Sequence, residues 1–431
     1  MTDNGDASLD PVRALVHAAD IQAAQARISS VIAATPLQYS QRLSSIAGAQ
    51  VFLKREDLQD VRSYKIRGAY NAIVQLSEEQ RQAGVVAASA GNHAQGVAYA
   101  CCQLGIAGRI YVPTPTPKQK RDRIRYHGGG AVEIIVTGDN FDDAAAAARA
   151  DAQRTGATVV EPFDSFDTIV GQGTVAAEII MQLSAQGMTL DHTVVPVGGG
   201  GLLSGIVSYV ADMAPHAKVH AVEPEGAPCM HAAIDAGEPV QLTEIDPFVD
   251  GAAVRRFGDL PWHIYQANRS RISTLISPEG AVCEAQLDLY QNEGIIAEPA
   301  GALSVAALAD IDFAPDDVVV CVITGGNNDV LRYGEIMERS LVYRGLKHYF
   351  LVNFPQKPGS LRLFVQDVLG PDDDIAQFEY LKRNNRETGA ALVGIELRHA
   401  ADLEALLQRM DQSPLVCRRL MPGTPEYDFL T

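Results

Sequence analysis

Four short stretches of the chain carry residue types suited to chemistry. The first is Ser63-Tyr64-Lys65-Ile66-Arg67-Gly68-Ala69. A lysine captures an aldehyde as a Schiff base when it is unprotonated, and desolvation or a cationic neighbour such as Arg67 favours that state. The competing reading is a solvated surface lysine. The second stretch, Ser89-Ala90-Gly91-Asn92-His93-Ala94-Gln95-Gly96, follows the apolar run Val85–Ala88. A turn of small residues there exposes the N–H groups of a helix's first turn. These suit a carboxylate or phosphate, because they lack intrahelical partners and the helix dipole favours an anion. Asn92 offers an amide to a phenolate, and His93 is either an acid–base group or a plain first-turn histidine.

The third stretch, Gly198-Gly199-Gly200-Gly201-Leu202, follows Val194–Val197 and opens a helix. Consecutive glycines are costly in backbone entropy, so close approach to an anion is the best reason to keep them. No G-x-G-x-x-G register fits, and no Gly-Lys dipeptide exists, so neither a dinucleotide fingerprint nor a Walker A loop is present. The fourth, Thr324-Gly325-Gly326-Asn327-Asn328-Asp329, follows Val318–Ile323 and puts a hydroxyl at the end of an apolar run. Glu298, in Glu298-Pro299-Ala300-Gly301-Ala302, either lines a pocket or caps the next helix. Together, in this order, the stretches specify an aldehyde-bearing, phosphorylated pyridine.

The elements that must position them alternate. Apolar runs at 51–53, 85–88, 109–112, 132–136, 158–160, 194–197, 219–222, 272–276 and 318–323 read as strands, with amphipathic helical patterns at 66–76, 93–104, 117–127 and 141–154. Such alternation predicts an α/β fold with parallel sheets, whose ligands sit at the carboxyl ends of strands. A smaller lobe is expected at about 60–160 within a catalytic domain of residues 1–345. Beyond Gly345 the pattern becomes βαββαβ, a ferredoxin-like unit over 346–431. That unit is too short and too poor in reactive clusters for a second enzyme and reads as a sensor.

Composition narrows the partners. The 431 residues carry Lys+Arg 35 against Asp+Glu 53, a formal charge of −18 that opposes nucleic-acid binding. No apolar run approaches the roughly 18 residues needed to span a bilayer. The acidic stretch Met1–Pro11 does not read as a secretory signal, so a cytoplasmic protein is expected. Six scattered cysteines without a C-x-x-C read as reduced structural thiols, and no metal site is expected.

The set SxKxRG, SAGNHAQG, GGGG and TGGN resembles the pyridoxal-phosphate enzymes of the tryptophan-synthase-β class, and within them the biosynthetic threonine dehydratases. The tail (Phe354-Pro355, Pro358-Gly359, Phe378-Glu379-Tyr380, Arg383-Asn384-Asn385) is similar to that family's ACT-like regulatory domain, present once. The resemblance implies a two-lobed fold-type-II architecture and pyridoxal 5'-phosphate as cofactor. It implies dehydration and deamination of L-threonine, and in lesser measure L-serine, to open isoleucine biosynthesis, with feedback by isoleucine and, as a second effector, valine. It also implies a homotetramer or homodimer. Lys65 would then hold the cofactor covalently, Asn92 its ring oxygen, Gly198 to Gly201 and Leu202 its phosphate, and Thr324 its pyridine nitrogen, where these dehydratases usually carry serine. Ser89, Gly91, Asn92 and His93 would surround the substrate carboxylate, and Phe354, Phe378, Asn384 and Asn385 would lie near the effector. Ala90 stands where serine racemases of the class carry a serine, so racemisation should be minor. The alternatives are another β-elimination or replacement enzyme on the same scaffold (a serine-directed lyase or threonine synthase), and a non-catalytic amino-acid sensor.

Overall fold

The computed structural model describes residues 16–380 and 387–428, in two compact units that divide between Val330 and Leu331. The first unit holds ten strands: β1 Leu37–Tyr39, β2 Gln50–Arg55, β3 Val85–Ala88, β4 Gly108–Val112, β5 Val132–Val136, β6 Thr158–Val159, β7 His192–Pro196, β8 Lys218–Pro224, β9 Ile272–Ser277 and β10 Val318–Ile323. Six form one sheet in the order β1-β2-β10-β7-β8-β9, parallel except for β1. The other four form a parallel sheet, β5-β4-β3-β6, the core of the expected smaller lobe. Every residue of β7 and β10 is buried, as a strand covered on both faces requires.

Helix Phe166–Ser184 is the spine on which the functional loops are hung. Its buried side includes Gly171 and Gly173. A Cβ on Gly171 would lie 2.7 Å from the Gly68 Cα, and one on Gly173 would lie 3.0 Å from the Gly205 carbonyl oxygen. Glycine here lets helices Lys65–Val74 and Gly201–Met213 close on one support, so the lysine and the glycine-rich turn are placed by the same element. A buried ionic cluster reinforces it. Arg67 donates to both Glu56 oxygens at 2.8 Å and to Glu178 at 2.7 and 2.8 Å, while Lys54 reaches Glu178 at 2.6 Å.

The second unit has the expected βαββαβ order. Strands β11 Lys347–Pro355, β12 Asp374–Tyr380, β13 Thr388–Glu396 and β14 Val416–Leu420 form an antiparallel sheet, β12-β13-β11-β14. The first helix of this unit's βαββαβ order is α-helical only from Ser360 through Leu363 and continues as a π turn to Val368, which turns Phe364 and Val368 into the core. The division falls before helix Tyr333–Tyr343 rather than at Gly345. Glu338 on that helix accepts from Tyr349 Oη at 2.6 Å and from Lys347 Nζ at 2.5 Å, which ties the helix to β11. All six cysteines are free thiols, and among the described residues no helix is long and apolar enough to cross a membrane.

Candidate active site

The catalytic candidates meet at the carboxyl ends of the strands, as doubly wound sheets require. Beyond β2 the chain passes the 3₁₀ turn Glu56–Leu58 and a loop before it opens helix Lys65–Val74, so Lys65 sits at a helix start. Beyond β3 come Ser89 and Gly91, the latter preceding helix Asn92–Leu104. Lys65, Ser89, Gly91, Asn92 and His93 all line one cavity of about 1190 Å³, together with Pro162, Phe163, Glu298 and Asn327.

Lys65 donates its amine to the Pro162 carbonyl at 3.0 Å. Burial pulls its pKa down to about 8, only partly opposed by the negative charge of Glu298. Arg67 does not act as the depressing cation expected from its sequence position, because two carboxylates neutralise it. His93 is held neutral: burial and then the Lys65 charge lower its pKa to about 3. Its Nε2 is 2.8 Å from the Val160 carbonyl, an acceptor only, so Nε2 carries the hydrogen and Nδ1 is left as a buried lone pair without a partner. The ring therefore offers an anion no charge. What His93 does offer is its backbone N–H, which with those of Asn92 and Ala94 forms the unpaired first turn, the first intrahelical bond being Gln95 to Gly91.

Glu298 resolves to the pocket. It precedes helix Pro299–Ala306 without capping it, and it accepts from Asn92 Nδ2 at 2.6 Å. Burial and the Asp250 carboxylate raise its pKa to about 7, against the lowering hydrogen bond from Asn92. A carboxyl raised in this way favours the folded state most below its unfolded value near 4.5, and that advantage disappears as pH rises through about 7. In the cofactor-free protein, Glu298→Gln should therefore remove a loss of stability on the order of 3 kcal/mol between pH 4.5 and 7.5. Denaturant unfolding across that range checks this; an unaltered slope in the variant would show that Glu298 does not titrate there.

Thr324 and the turn Gly198 to Leu202 do not line the cavity themselves. Thr324 is buried at the end of β10, and its carbonyl accepts from the Tyr64 N–H at 3.1 Å, which brings it beside Lys65. Gly198 to Gly201 form the turn after β7, and Gly200, at φ 93°, is the left-handed residue that starts helix Gly201–Met213. Phe163 rests on this turn: a Cβ on Gly199 would fall 2.4 Å from its ring. The Leu202 side chain lies in the core, so only its backbone faces the helix start. Phe354 belongs to the core of the second unit, with ring centroids 5.6 Å from Phe364 and 6.0 Å from Phe378. Asn384 and Asn385 lie outside the described residues.

A phosphorylated pyridine aldehyde fits this donor set. There is a lysine with a depressed pKa, an amide from Asn92, a hydroxyl from Thr324, and a glycine-rich turn whose helix starts with free N–H groups. Ser63, wholly buried next to Tyr64, has a hydroxyl without a hydrogen-bond partner, a polar atom that a ligand would satisfy.

Residues 28–325 match the pyridoxal-phosphate dependent enzyme family, and the chain belongs to it. Residues 338–430 match the C-terminal regulatory domain of threonine dehydratase. Within its family the chain groups with the biosynthetic threonine dehydratases. It is 67% identical over 417 residues to the biosynthetic L-threonine dehydratase of Corynebacterium glutamicum, covering 97% of this chain and 96% of that one. It is 61% identical over 412 residues to that of Mycobacterium tuberculosis, covering 96% and 95%. The processed form of threonine deaminase isoform 2 from Solanum lycopersicum superposes with a TM-score of 0.70 at 33% identity, over 79% of this chain and 96% of that one. The cofactor is pyridoxal 5'-phosphate.

Proposed function

We propose that this chain converts L-threonine to 2-oxobutyrate and ammonia, and that isoleucine bound at the C-terminal unit restrains it. The observation that carries the chemistry is the amine of Lys65, lowered to about 8, in one cavity with Asn92 and His93, whose backbone N–H groups open the helix unpaired. The bound cofactor supplies the electron-withdrawing ring that makes the substrate's α-proton acidic. Lys65 attaches the cofactor and, once freed, takes that proton at Nζ. The helix start at Asn92, with Ser89 and Gly91, receives the substrate carboxylate and so aims the α-carbon at the lysine. Asn92 holds the ring oxygen, Gly198 to Gly201 with the Leu202 N–H the phosphate, and Thr324 the ring nitrogen. Its neutral hydroxyl stabilises a positive ring less than a carboxylate would, which favours prompt loss of a β-substituent over prolonged carbanion chemistry. Ala90 brings no proton to the opposite face, so racemisation is minor. L-Serine is a second substrate, because one methyl group in an apolar site is worth only about 1–3 kcal/mol.

The regulatory half rests on the second unit's match to a regulatory domain. Phe354 is closed into its core, so the effector contacts are sought on the half-buried face at Phe378. The test is 2-oxobutyrate release from L-threonine with and without isoleucine, by the full chain and by a chain ending at Val330. The full chain should be inhibited, while the shortened chain should keep its activity and lose the inhibition. Inhibition that survives the deletion would place the effector elsewhere, and a yellow protein releasing nothing from threonine would move the chemistry to a related lyase.

A further inference from the structure

Asn92 is the cavity's central amide, and an amide presents a donor edge or an acceptor edge according to what holds it. Here the holding groups form a chain with one permitted direction. Arg123 Nη1, a donor only, bonds to Asn327 Oδ1. Asn327 Nδ2 donates to the Val61 carbonyl, an acceptor only, at 2.8 Å and to Asn92 Oδ1 at 2.7 Å. Asn92 Nδ2 then donates to Glu298 Oε1 at 2.6 Å. Arginine at one end and a backbone carbonyl at the branch settle the orientation of Asn327, which in turn settles that of Asn92. One Nδ2 hydrogen of Asn92 is used by Glu298, and the second remains for an acceptor in the cavity.

The chain also crosses between the lobes. Arg123 lies on helix Lys118–Gly128 and Asn92 after β3, both in the smaller lobe, whereas Asn327 follows β10 and Glu298 precedes helix Pro299–Ala306. From the same smaller-lobe helix, Lys120 pairs with Asp250 at 2.6 Å. Asn92 is thus oriented only where the two lobes meet.

We infer that Asn327, backed by Arg123, is a positioning residue that turns the donor edge of Asn92 toward the cofactor's ring oxygen. The inference rests on the reading that Asn92 meets that oxygen. Asn327→Asp is nearly isosteric but accepts only, so it cannot donate to Asn92 Oδ1. The Asn92 amide then turns over, sets its own oxygen against Glu298, and loses the directed N–H in the cavity. A merely structural role for Asn327 would leave the bound cofactor's electronics alone, so the deciding readouts are its absorption spectrum and its retention.

The experiment compares the wild-type holoenzyme with Asn327→Asp, Arg123→Met and Asn92→Ala. Asn327→Asp should shift the cofactor absorption band and weaken cofactor retention about tenfold or more, the value of a lost hydrogen bond to a charged oxygen. It should lower kcat more than it raises KM for threonine. Arg123→Met, which leaves the Val61 anchor in place, should change the same quantities in the same direction by less. If Asn92→Ala moves spectrum and retention but Asn327→Asp moves neither, the positioning role is overturned. If Asn92→Ala moves neither, the reading of Asn92 itself fails and this inference with it. Should Asn327→Asp not fold, Arg123→Met decides by the same two readouts, because Arg123 is only half-buried on an outer helix.

Discussion

Lys65→Ala should lower 2-oxobutyrate release by about 10⁴-fold or more, since it removes both the covalent attachment of the cofactor and the group that moves the α-proton. The size of the effect follows from the amine's environment. At pH 7.5 an amine with pKa about 8 is roughly a quarter neutral, whereas an ordinary lysine is neutral about once in a thousand, so burial alone multiplies the reactive form by about two hundred. Lys65→Arg separates the two uses of a cation. It keeps positive charge at the helix start but is never neutral and cannot form a Schiff base. Both variants should bind pyridoxal phosphate weakly, without the absorption band of a lysine-linked cofactor. A Lys65→Arg protein retaining more than about a hundredth of wild-type activity would show that charge, and not a nucleophilic amine, is what this position supplies.

The reach of the sequence can be judged residue by residue. Ser89 to His93, Gly198 to Gly201 and Thr324 follow apolar runs directly, and small residues there are a local signal of backbone approaching a ligand, whereas Lys65 stands well beyond β2 and is marked by its own motif. Apart from β1, Leu37–Tyr39, which was not expected, the strands of the first unit fell where period and apolarity put them, and β11 to β14 follow the expected order of the second unit. What depends on distant partners was not legible. Glu298 had two readings until Asn92, far away in the chain, was seen beside it. Asn327 gave no signal of its own, since asparagine after glycines is ordinary turn chemistry. Arg67 looked like a neighbour able to depress Lys65, yet Glu56 and Glu178 from other elements absorb its charge. Gly345 looked like a junction, but helix Tyr333–Tyr343 belongs with β11 through Glu338. Phe354 illustrates the same limit: an aromatic in a strand pattern is a core residue or a contact residue, and only its neighbours decide.

Arg67→Met should destabilise the first unit by about 3–5 kcal/mol, the usual cost of removing one partner from a buried ionic cluster. Four charges, Lys54, Arg67, Glu56 and Glu178, lie together with almost no solvent exposure and balance to zero. Burial alone would raise the Glu56 carboxyl, but the charge and hydrogen bonds of Arg67, with the Lys54 charge and the Thr35 hydroxyl, together outweigh it and hold the group below its ordinary range. Without Arg67, two carboxylates share Lys54 alone, leaving one buried negative charge in excess. Removing that excess should restore much of the loss. Arg67→Met combined with Glu56→Gln leaves the neutral pair Lys54–Glu178, so the double variant should be more stable than Arg67→Met alone. Simple addition of the two single costs in a double-mutant cycle would argue against a coupled cluster. The pH dependence has a fixed sign. A carboxyl lowered in the folded state stabilises it above the unfolded value near 4.5, and that contribution is lost as pH falls through the lower folded value. Wild-type stability should therefore drop at acid pH more steeply than that of the double variant, in which position 56 no longer titrates. Because Arg67 lies two residues beyond Lys65 on the same helix and faces the spine helix, the single variant should also lose activity at temperatures where it remains folded. An Arg67→Met protein with wild-type stability and activity would mean that the cluster neither supports the fold nor places the lysine.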